Sequence, residues 1–148
     1  MREYNRKLGK SDSAGNRTGY YAATAAFVIV KENKAYWASI CDSFIAHFDA
    51  KMRLQSMSSG SCDPYAVING ESRMVNYIQT GILRLKSGDR LFVFTDGFEP
   101  YIKNVEFQKL FNVWDKDTKN QIRRFSQKAN LKDPEKYGHE RSLVSILV

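Results

Sequence analysis

The sequence predicts an α+β fold in which antiparallel β-sheets are covered by amphipathic helices. Three features of the 148 residues support this class. Short apolar runs rich in β-branched and aromatic residues follow one another, separated by polar turns, as far as residue 95. Helical periodicity appears only later, and the chain then closes with another β-branched run.

The first strands are expected to pair with their neighbours in the chain. Ala25–Val30 and Ala35–Ile40 are apolar runs on either side of a short polar turn, which is typical of a β-hairpin. Phe44–Phe48 and Met52–Gln55 continue the pattern around a second turn. This succession of short strands predicts an antiparallel sheet.

The middle of the chain combines an irregular segment with a buried strand. Residues 56–76 are rich in Ser, Gly and Asp and lack periodicity, so we expect an irregular excursion with at most one short helix. Tyr77–Leu85 alternates as a strand. Arg90–Thr95 follows a tight turn, is strongly apolar, and runs directly into Asp96 and Gly97. A carboxylate therefore stands at the end of a buried strand.

Two amphipathic helices are expected in the last third of the chain. Apolar residues recur at helical spacing within Val105–Trp114 and within Asp117–Ala129. A polar stretch at 132–138 separates them from a final strand at Ser142–Val148. The apolar residues at helical spacing are Phe107, Leu110, Phe111 and Trp114 in the first segment and Ile122, Phe125 and Ala129 in the second.

The positive charge of the chain does not by itself indicate a nucleic-acid site. The net charge is +7, with local density at residues 2–10 and 116–136. A nucleic-acid reader would add a recognisable motif, or aromatic residues interleaved with the basic ones on one face. A solvated basic surface that attracts acidic or phosphorylated partners is the better interpretation.

Other sequence features indicate a single cytoplasmic domain. No segment approaches the roughly 18 apolar residues of a membrane-spanning helix, and the first ten residues are too polar for a signal peptide. Cys41 and Cys62 form no metal-binding pair and are suited to remain reduced thiols. We expect a flexible leader or loop at residues 1–19 and a domain at residues 20–148.

Acidic residues recur where the predicted strands begin or end. Asp42 follows one strand, Asp96 ends another, and Glu140 precedes the last. Hard cations such as Mn²⁺ and Mg²⁺ prefer oxygen ligands, which carboxylates on rigid strand ends can supply. The alternative is that each aspartate only starts a turn, because Asp-Gly and Asp-Ser are common turn dipeptides.

The order of these motifs resembles that of the metal-dependent protein phosphatases, the family called PPM or protein phosphatase 2C. LKSGDRLFVFTDG at 85–97 is similar to the family's central Gly-Asp to Asp-Gly motif, and ICDS at 40–43 is similar to its Gly-Asp-Ser motif. HERS at 139–142 is similar to the terminal acidic motif, and AATA at 22–25 to a strand start. The resemblance covers about residues 20–148 and corresponds to the C-terminal portion of the family domain.

The resemblance implies an αββα sandwich and a site for Mn²⁺ or Mg²⁺. Asp96 corresponds to the family's central metal-ligand aspartate, and Asp42 to the ligand of an additional, weaker metal. Glu140 or His139 would complete the cluster, with Glu140 preferred because a histidine here suits a solvent-facing turn. Gly97 would allow backbone and water to approach closely.

The resemblance also implies hydrolysis of phosphoserine or phosphothreonine in proteins by metal-activated water, without a nucleophilic side chain. Cys41, however, replaces the motif glycine, and His139 and Glu140 replace the terminal acidic pair. The family's N-terminal portion, which supplies a phosphate-binding arginine and a metal-bridging aspartate, has no counterpart in residues 1–19.

These departures leave two interpretations of the chain. The first is a partial phosphatase domain that has little activity alone and is completed by an upstream segment or by another chain. Such a domain would have an open sheet edge near Tyr20 and would associate with itself. The second is a non-catalytic interaction module that binds an acidic or phosphorylated partner.

Overall fold

The computed structural model describes residues 23–60, 67–68, 72–113 and 115–148. These residues form two β-sheets and a set of helices. The strands are β1 (Ala25–Lys31), β2 (Lys34–Ile40), β3 (Ser43–Phe48), β4 (Leu54–Met57), β5 (Gln79–Arg84), β6 (Arg90–Thr95) and β7 (Leu143–Leu147). The helices are α1 (Glu99–Ile102), α2 (Val105–Lys109), α3 (Thr118–Lys132) and α4 (Pro134–Tyr137), with 3₁₀ turns at Ser72–Tyr77 and Asp96–Phe98.

Both sheets are antiparallel. The first has the strand order β1-β2-β5 and the second has the order β4-β3-β6-β7. The predicted hairpin is present, with Ala25 opposite Ile40 and Lys31 opposite Lys34. The antiparallel α+β class expected from the sequence is therefore confirmed.

The two faces of the second sheet bury different sets of side chains. On one face, aromatic residues of β3 and β6 pack against aromatic residues of the helices, as in the edge-to-face contact of Phe92 with Phe111 at 4.7 Å between ring centroids. On the other face, Leu91 packs against Ala35 and Leu85, which belong to the first sheet and the residue after it. The first sheet therefore covers one face of the second, and the helices cover the other.

The predicted bounds differ from the structure where turns extend. β4 begins two residues later than predicted, because the Asp49 carboxylate accepts the N–H groups of Lys51 and Arg53 at 2.9 Å each and so prolongs the turn. Met52 lies inside that turn with a φ of 57°. In its described part, the irregular segment ends in a short helix, the 3₁₀ turn Ser72–Tyr77, in agreement with the expectation of a short helix there.

The helical region is more divided than predicted. The helix expected at Val105–Trp114 ends at Lys109, where Leu110 and Phe111 form 3₁₀-type bonds to Phe107 and Gln108. Two short helices that begin near prolines, α1 and α4, were not expected from the sequence. The apolar stripe of α3, Ile122, Phe125 and Ala129, packs on the core as predicted.

Some expectations concern residues outside the described ranges. This group comprises the predictions for residues 1–19, Cys62 and Trp114. The domain boundary at residue 20 stays a prediction. Among the helices that the structure describes, none has the length and apolar character needed to cross a membrane.

Candidate functional site

Asp42 and Asp96 lie opposite each other where β3 begins and β6 ends. Ser43 pairs with Thr95 in the ladder, and the next bond outward runs from the N–H of Asp96 to the carbonyl of Asp42 at 3.0 Å. Antiparallel pairing therefore brings together the backbones of two aspartates that are separated by more than fifty residues in the sequence.

The segment before β7 joins the same strand ends. Thr95 donates its N–H to the carbonyl of Ser142 at 3.2 Å, and Ser142 donates its N–H to the Thr95 hydroxyl oxygen at 3.0 Å. A side chain at Gly97 would collide with the backbone carbonyl of Glu140, so only glycine allows this approach. The three sequence motifs around residues 42, 96 and 140 thus converge through their backbones.

The side chains at this convergence are largely in water. Asp96 and Glu140 are exposed, whereas Asp42 is half-buried and Gly97 is buried. The Asp96 Oδ1 accepts the N–H of Gly97 at 2.7 Å, which fixes one carboxylate oxygen close to the backbone. Such a wet cleft edge suits a hydrated cation better than a dry ion pair.

His139 is held in a way that disfavours metal binding through its Nε2. That nitrogen lies 2.9 Å from the carbonyl oxygen of Glu135 and must donate a proton to it. A nitrogen that carries a proton has no lone pair for a metal. His139 could therefore bind a metal only through its Nδ1, and the preference for Glu140 over His139 stays a prediction.

Arg141 is a residue of the site that the sequence interpretation missed. Its Nη1 donates to the carbonyls of Tyr137 at 2.6 Å and His139 at 3.0 Å, and its guanidinium lies 5.0 Å from the centre of the Tyr101 ring. These contacts hold the turn that carries Glu140 against the helical layer. The position of Arg141 inside the terminal motif was the only signal in the sequence.

A cavity of about 360 Å³ lies beside the strand ends, between the start of β1 and the β6–β7 pair. The polar side chains of its lining carry hydroxyl groups, and two of these residues are bonded to each other, with Ser43 Oγ donating to Thr24 Oγ1 at 2.9 Å. These hydroxyls are carried by Thr24, Ser43, Thr95 and Ser142. The cavity is therefore neutral and lies close to the carboxylates.

The donor atoms fit a hard divalent cation, but the ligand set is incomplete. Carboxylate oxygens are the ligands that Mn²⁺ and Mg²⁺ prefer. Within the described part of the chain, however, no three His, Cys, Asp or Glu side chains are close enough together to hold a metal ion. These residues alone supply part of a metal site at most.

Comparison with known families decides the identity of the fold. The profile described as Protein phosphatase 2C matches residues 3–147. The chain belongs to the protein phosphatase 2C family. No curated protein matched the sequence.

Solved structures share the phosphatase 2C fold at low sequence identity. A bacterial serine phosphatase is 14% identical with a TM-score of 0.68, and the match covers 99% of this chain and 63% of that one. The S. agalactiae serine/threonine phosphatase is 18% identical with a TM-score of 0.62, covering 97% and 65%. The phosphatase domain of SpoIIE from Bacillus subtilis, presoaked in Mn, is 12% identical with a TM-score of 0.52, covering 85% and 56%. The chain thus spans less than two thirds of the length of these structures.

Proposed function

We propose that this chain forms part of a metal-dependent phosphatase that hydrolyses phosphoserine or phosphothreonine in proteins. The observation that carries the proposal is the meeting of Asp42 with Asp96 at adjacent strand ends, in a chain that belongs to the protein phosphatase 2C family. The substrate expected for such a site is a phosphorylated protein in the cytoplasm.

We propose Asp96 as the central ligand of Mn²⁺ or Mg²⁺ and Asp42 as the ligand of a further cation. Glu140 is the next ligand, with His139 as its alternative, and Gly97 provides the close backbone approach. The bound metal would activate water for direct attack on phosphorus. The manganese soak of the SpoIIE phosphatase domain is consistent with this choice of metal.

The catalytic contribution of this chain alone is expected to be small. Among the described residues no three His, Cys, Asp or Glu side chains lie close enough together to hold a metal ion, and two neighbouring metal ions generally need a shared carboxylate. A segment upstream or on another chain would supply the missing ligands and the cation that binds the substrate phosphate. With Mn²⁺ present, we expect little or no hydrolysis of para-nitrophenyl phosphate by this chain.

Calorimetric titration with Mn²⁺ tests the proposed site directly. We expect weak binding by the wild type and weaker binding by Asp96→Asn, because the substitution removes the central charge. Glu106→Gln is the matched control, since Glu106 is exposed and pairs with its near neighbour Lys109 at 2.6 Å. Equal affinity of Asp96→Asn and the wild type for Mn²⁺ would contradict the metal site. Hydrolysis of para-nitrophenyl phosphate by the wild type that is abolished in Asp96→Asn would contradict the inference that the ligand set is incomplete.

A non-catalytic interaction module is the second candidate, favoured by the absence of a three-ligand group within the described residues. Such a module would bind a phosphopeptide equally well with and without a chelator, because no metal would take part. A phosphatase site would lose phosphopeptide binding when the metal is removed. Binding measured in EDTA and in Mn²⁺ therefore distinguishes the two candidates.

A further inference from the structure

The exposed side of helix α3 carries positive charge and no negative charge. The apolar stripe of the helix faces the core, and between Thr118 and Lys132 the sequence has basic residues but no carboxylate. All of these basic residues are exposed. They are Lys119, Arg123, Arg124, Lys128 and Lys132, and we call them the α3 cations.

The α3 cations are spaced so that they repel one another. Arg124, Lys128 and Lys132 follow at intervals of four residues, which places them in one row along the helix. Lys119 and Arg123 have the same spacing and form a second row. Like charges at this spacing destabilise a helix, and the ion pairs among the described residues include none of the α3 cations. Anionic groups supplied by another molecule would offset this repulsion.

The charge pattern changes at both ends of α3. Charged residues of mixed sign flank the helix, in the order Asp115, Lys116 and Asp117 before it and Asp133, Glu135 and Lys136 after it. Hydrogen bonds from two amide side chains, together with the charge of Arg124, lower the pKa of the Asp117 carboxyl, so this anion persists at neutral pH. From Lys119 to Lys132 the helix rises about 20 Å. The purely cationic stretch is therefore short and is bounded by carboxylates.

We infer that the α3 cations dock a short acidic segment of a partner protein. The segment is a run of about six residues rich in Asp and Glu, because an extended chain of that length spans about 20 Å. Leu131 is 87% exposed and lies next to Lys128 on the helix surface, where it offers the segment an apolar contact. The inference concerns the surface of α3 and does not depend on catalysis at the carboxylate site.

The carboxylates at the ends of α3 argue against larger anionic partners. A nucleic-acid duplex or an anionic bilayer laid along the helix would extend past both ends and meet the flanking carboxylates there. A second copy of this chain fits poorly too, because its sequence has no two adjacent acidic residues and its net charge is +7. A short acidic run on another protein matches both the sign and the length of the cationic stretch.

Fluorescence anisotropy with two labelled peptides, hexaglutamate and hexaglutamine, tests the inference. EDTA in the buffer prevents metal ions from bridging the glutamates to the candidate metal site. We expect the wild-type protein to bind hexaglutamate about tenfold more tightly than hexaglutamine, because several surface ion pairs form only with the acidic peptide. Added salt should weaken the binding of hexaglutamate by screening these pairs.

Two double variants locate the binding surface. Lys128→Gln combined with Lys132→Gln should weaken the binding of hexaglutamate about fivefold, because two ion pairs are lost. Lys31→Gln combined with Lys34→Gln is the matched control, since it removes the same charge at exposed residues of the β1–β2 hairpin. The control should change the affinity by less than about twofold. Thermal melts followed by circular dichroism check that both variants fold.

Other results would overturn the inference. Equal affinity of the wild type for the two peptides, or no saturable binding of hexaglutamate, would exclude an acidic segment as the occupant. Equal losses in the two double variants would show that net charge, rather than α3, attracts the peptide. Binding of duplex DNA or of phosphatidylserine vesicles that is tighter than binding of hexaglutamate, and that the α3 variant loses, would assign the α3 cations to a larger anion.

Discussion

Among the residues that the structure describes, three other than glycine adopt left-handed backbone conformations, and each lies in a turn that sets the position of a strand. Glu32 has a φ of 56° between β1 and β2, Cys41 a φ of 62° between β2 and β3, and Met52 a φ of 57° before β4. Side chains with a Cβ are disfavoured in this region. Cys41 matters most, because it immediately precedes Asp42 and stands where the family's motif has glycine.

Cys41→Gly should stabilise the protein. Glycine removes the penalty of the left-handed conformation, about 1–2 kcal/mol, but loses about 0.5–1 kcal/mol to the greater freedom of the unfolded chain. We expect the free energy of unfolding to rise by about 0.5–1 kcal/mol, measured by urea denaturation. Cys41→Ala keeps the strained φ and is the control; an equal gain in both variants would show that the thiol, not the backbone, is responsible.

Asp49 makes part of the stability depend on pH. Hydrogen bonds from the backbone and side chain of Arg53 hold the pKa of the Asp49 carboxyl below its usual value of 3.8. The contribution of Asp49 is therefore present above the pKa of the unfolded chain and is lost as the pH falls through the folded-state pKa. Asp49→Asn should be less stable than wild type at neutral pH, and the difference should shrink in acid. Urea midpoints across the acidic range measure this, and a constant difference would contradict it.

The junction between β6 and β7 is the structural element on which the candidate site depends. Thr95 and Ser142 are joined there by hydrogen bonds, and Gly97 packs closely on the backbone of Glu140. Arg141 donates a hydrogen bond to the carbonyl of Tyr137. These contacts fix the pairing register of β7 with β6, the strand that leads into Asp96. Loss of any of these contacts should move Glu140 away from the other carboxylates.

Gly97→Ala should destabilise this junction. The new methyl group would overlap the Glu140 carbonyl, which is backbone and cannot rotate away. Overpacking of this kind costs about 1–3 kcal/mol, and we expect a loss of that size in the free energy of unfolding. Gly60→Ala is the control, since there the methyl group would overlap a side chain, the ring of Phe44, and would lie at an ordinary contact distance of 3.6 Å from the nearest backbone atom, the Cys41 carbonyl oxygen. An equal or smaller loss for Gly97→Ala than for Gly60→Ala would contradict the role of Gly97.

The sequence predicted most of the elements because their signals are local. The hairpin of β1 and β2, the buried strand β6 and the stripe of α3 follow from periodicity and turn residues. The buried pair of His47 with Asp89, whose Nε2 and Oδ2 are 2.8 Å apart, was beyond reach, because it joins residues 42 positions apart. The same limit hid the contact of Thr24 with Ser43 and the contact of Arg141 with the Tyr101 ring beside the site. Long-range contacts are set by register between strands, which local patterns do not specify.

At the scale of the whole molecule, both sheets have strands at their edges. In the described part of the chain, β1 pairs with β2 only and β7 pairs with β6 only. The open edge was expected near Tyr20, which lies outside the described residues, while β1 itself begins at Ala25. Strands at the edge of a sheet offer unpaired backbone groups to other chains.

This chain should therefore associate with itself as its concentration rises. Val144, on β7, is 57% exposed and adds apolar surface to the edge. Charge repulsion opposes association only in part, since screening at physiological ionic strength limits it to about 8 Å, whereas strand pairing acts at contact. Light scattering at several concentrations should show a dimer or a soluble oligomer.

Val144→Lys should shift that equilibrium toward the monomer, because a lysine on an edge strand blocks pairing. Val113→Lys adds the same charge at a residue that is 70% exposed outside the sheets and should leave association unchanged. A wild type that stays monomeric throughout, with a cooperative melt, would show that the chain protects its own edges. Equal effects of the two lysines would mean that net charge, rather than the β7 edge, controls association.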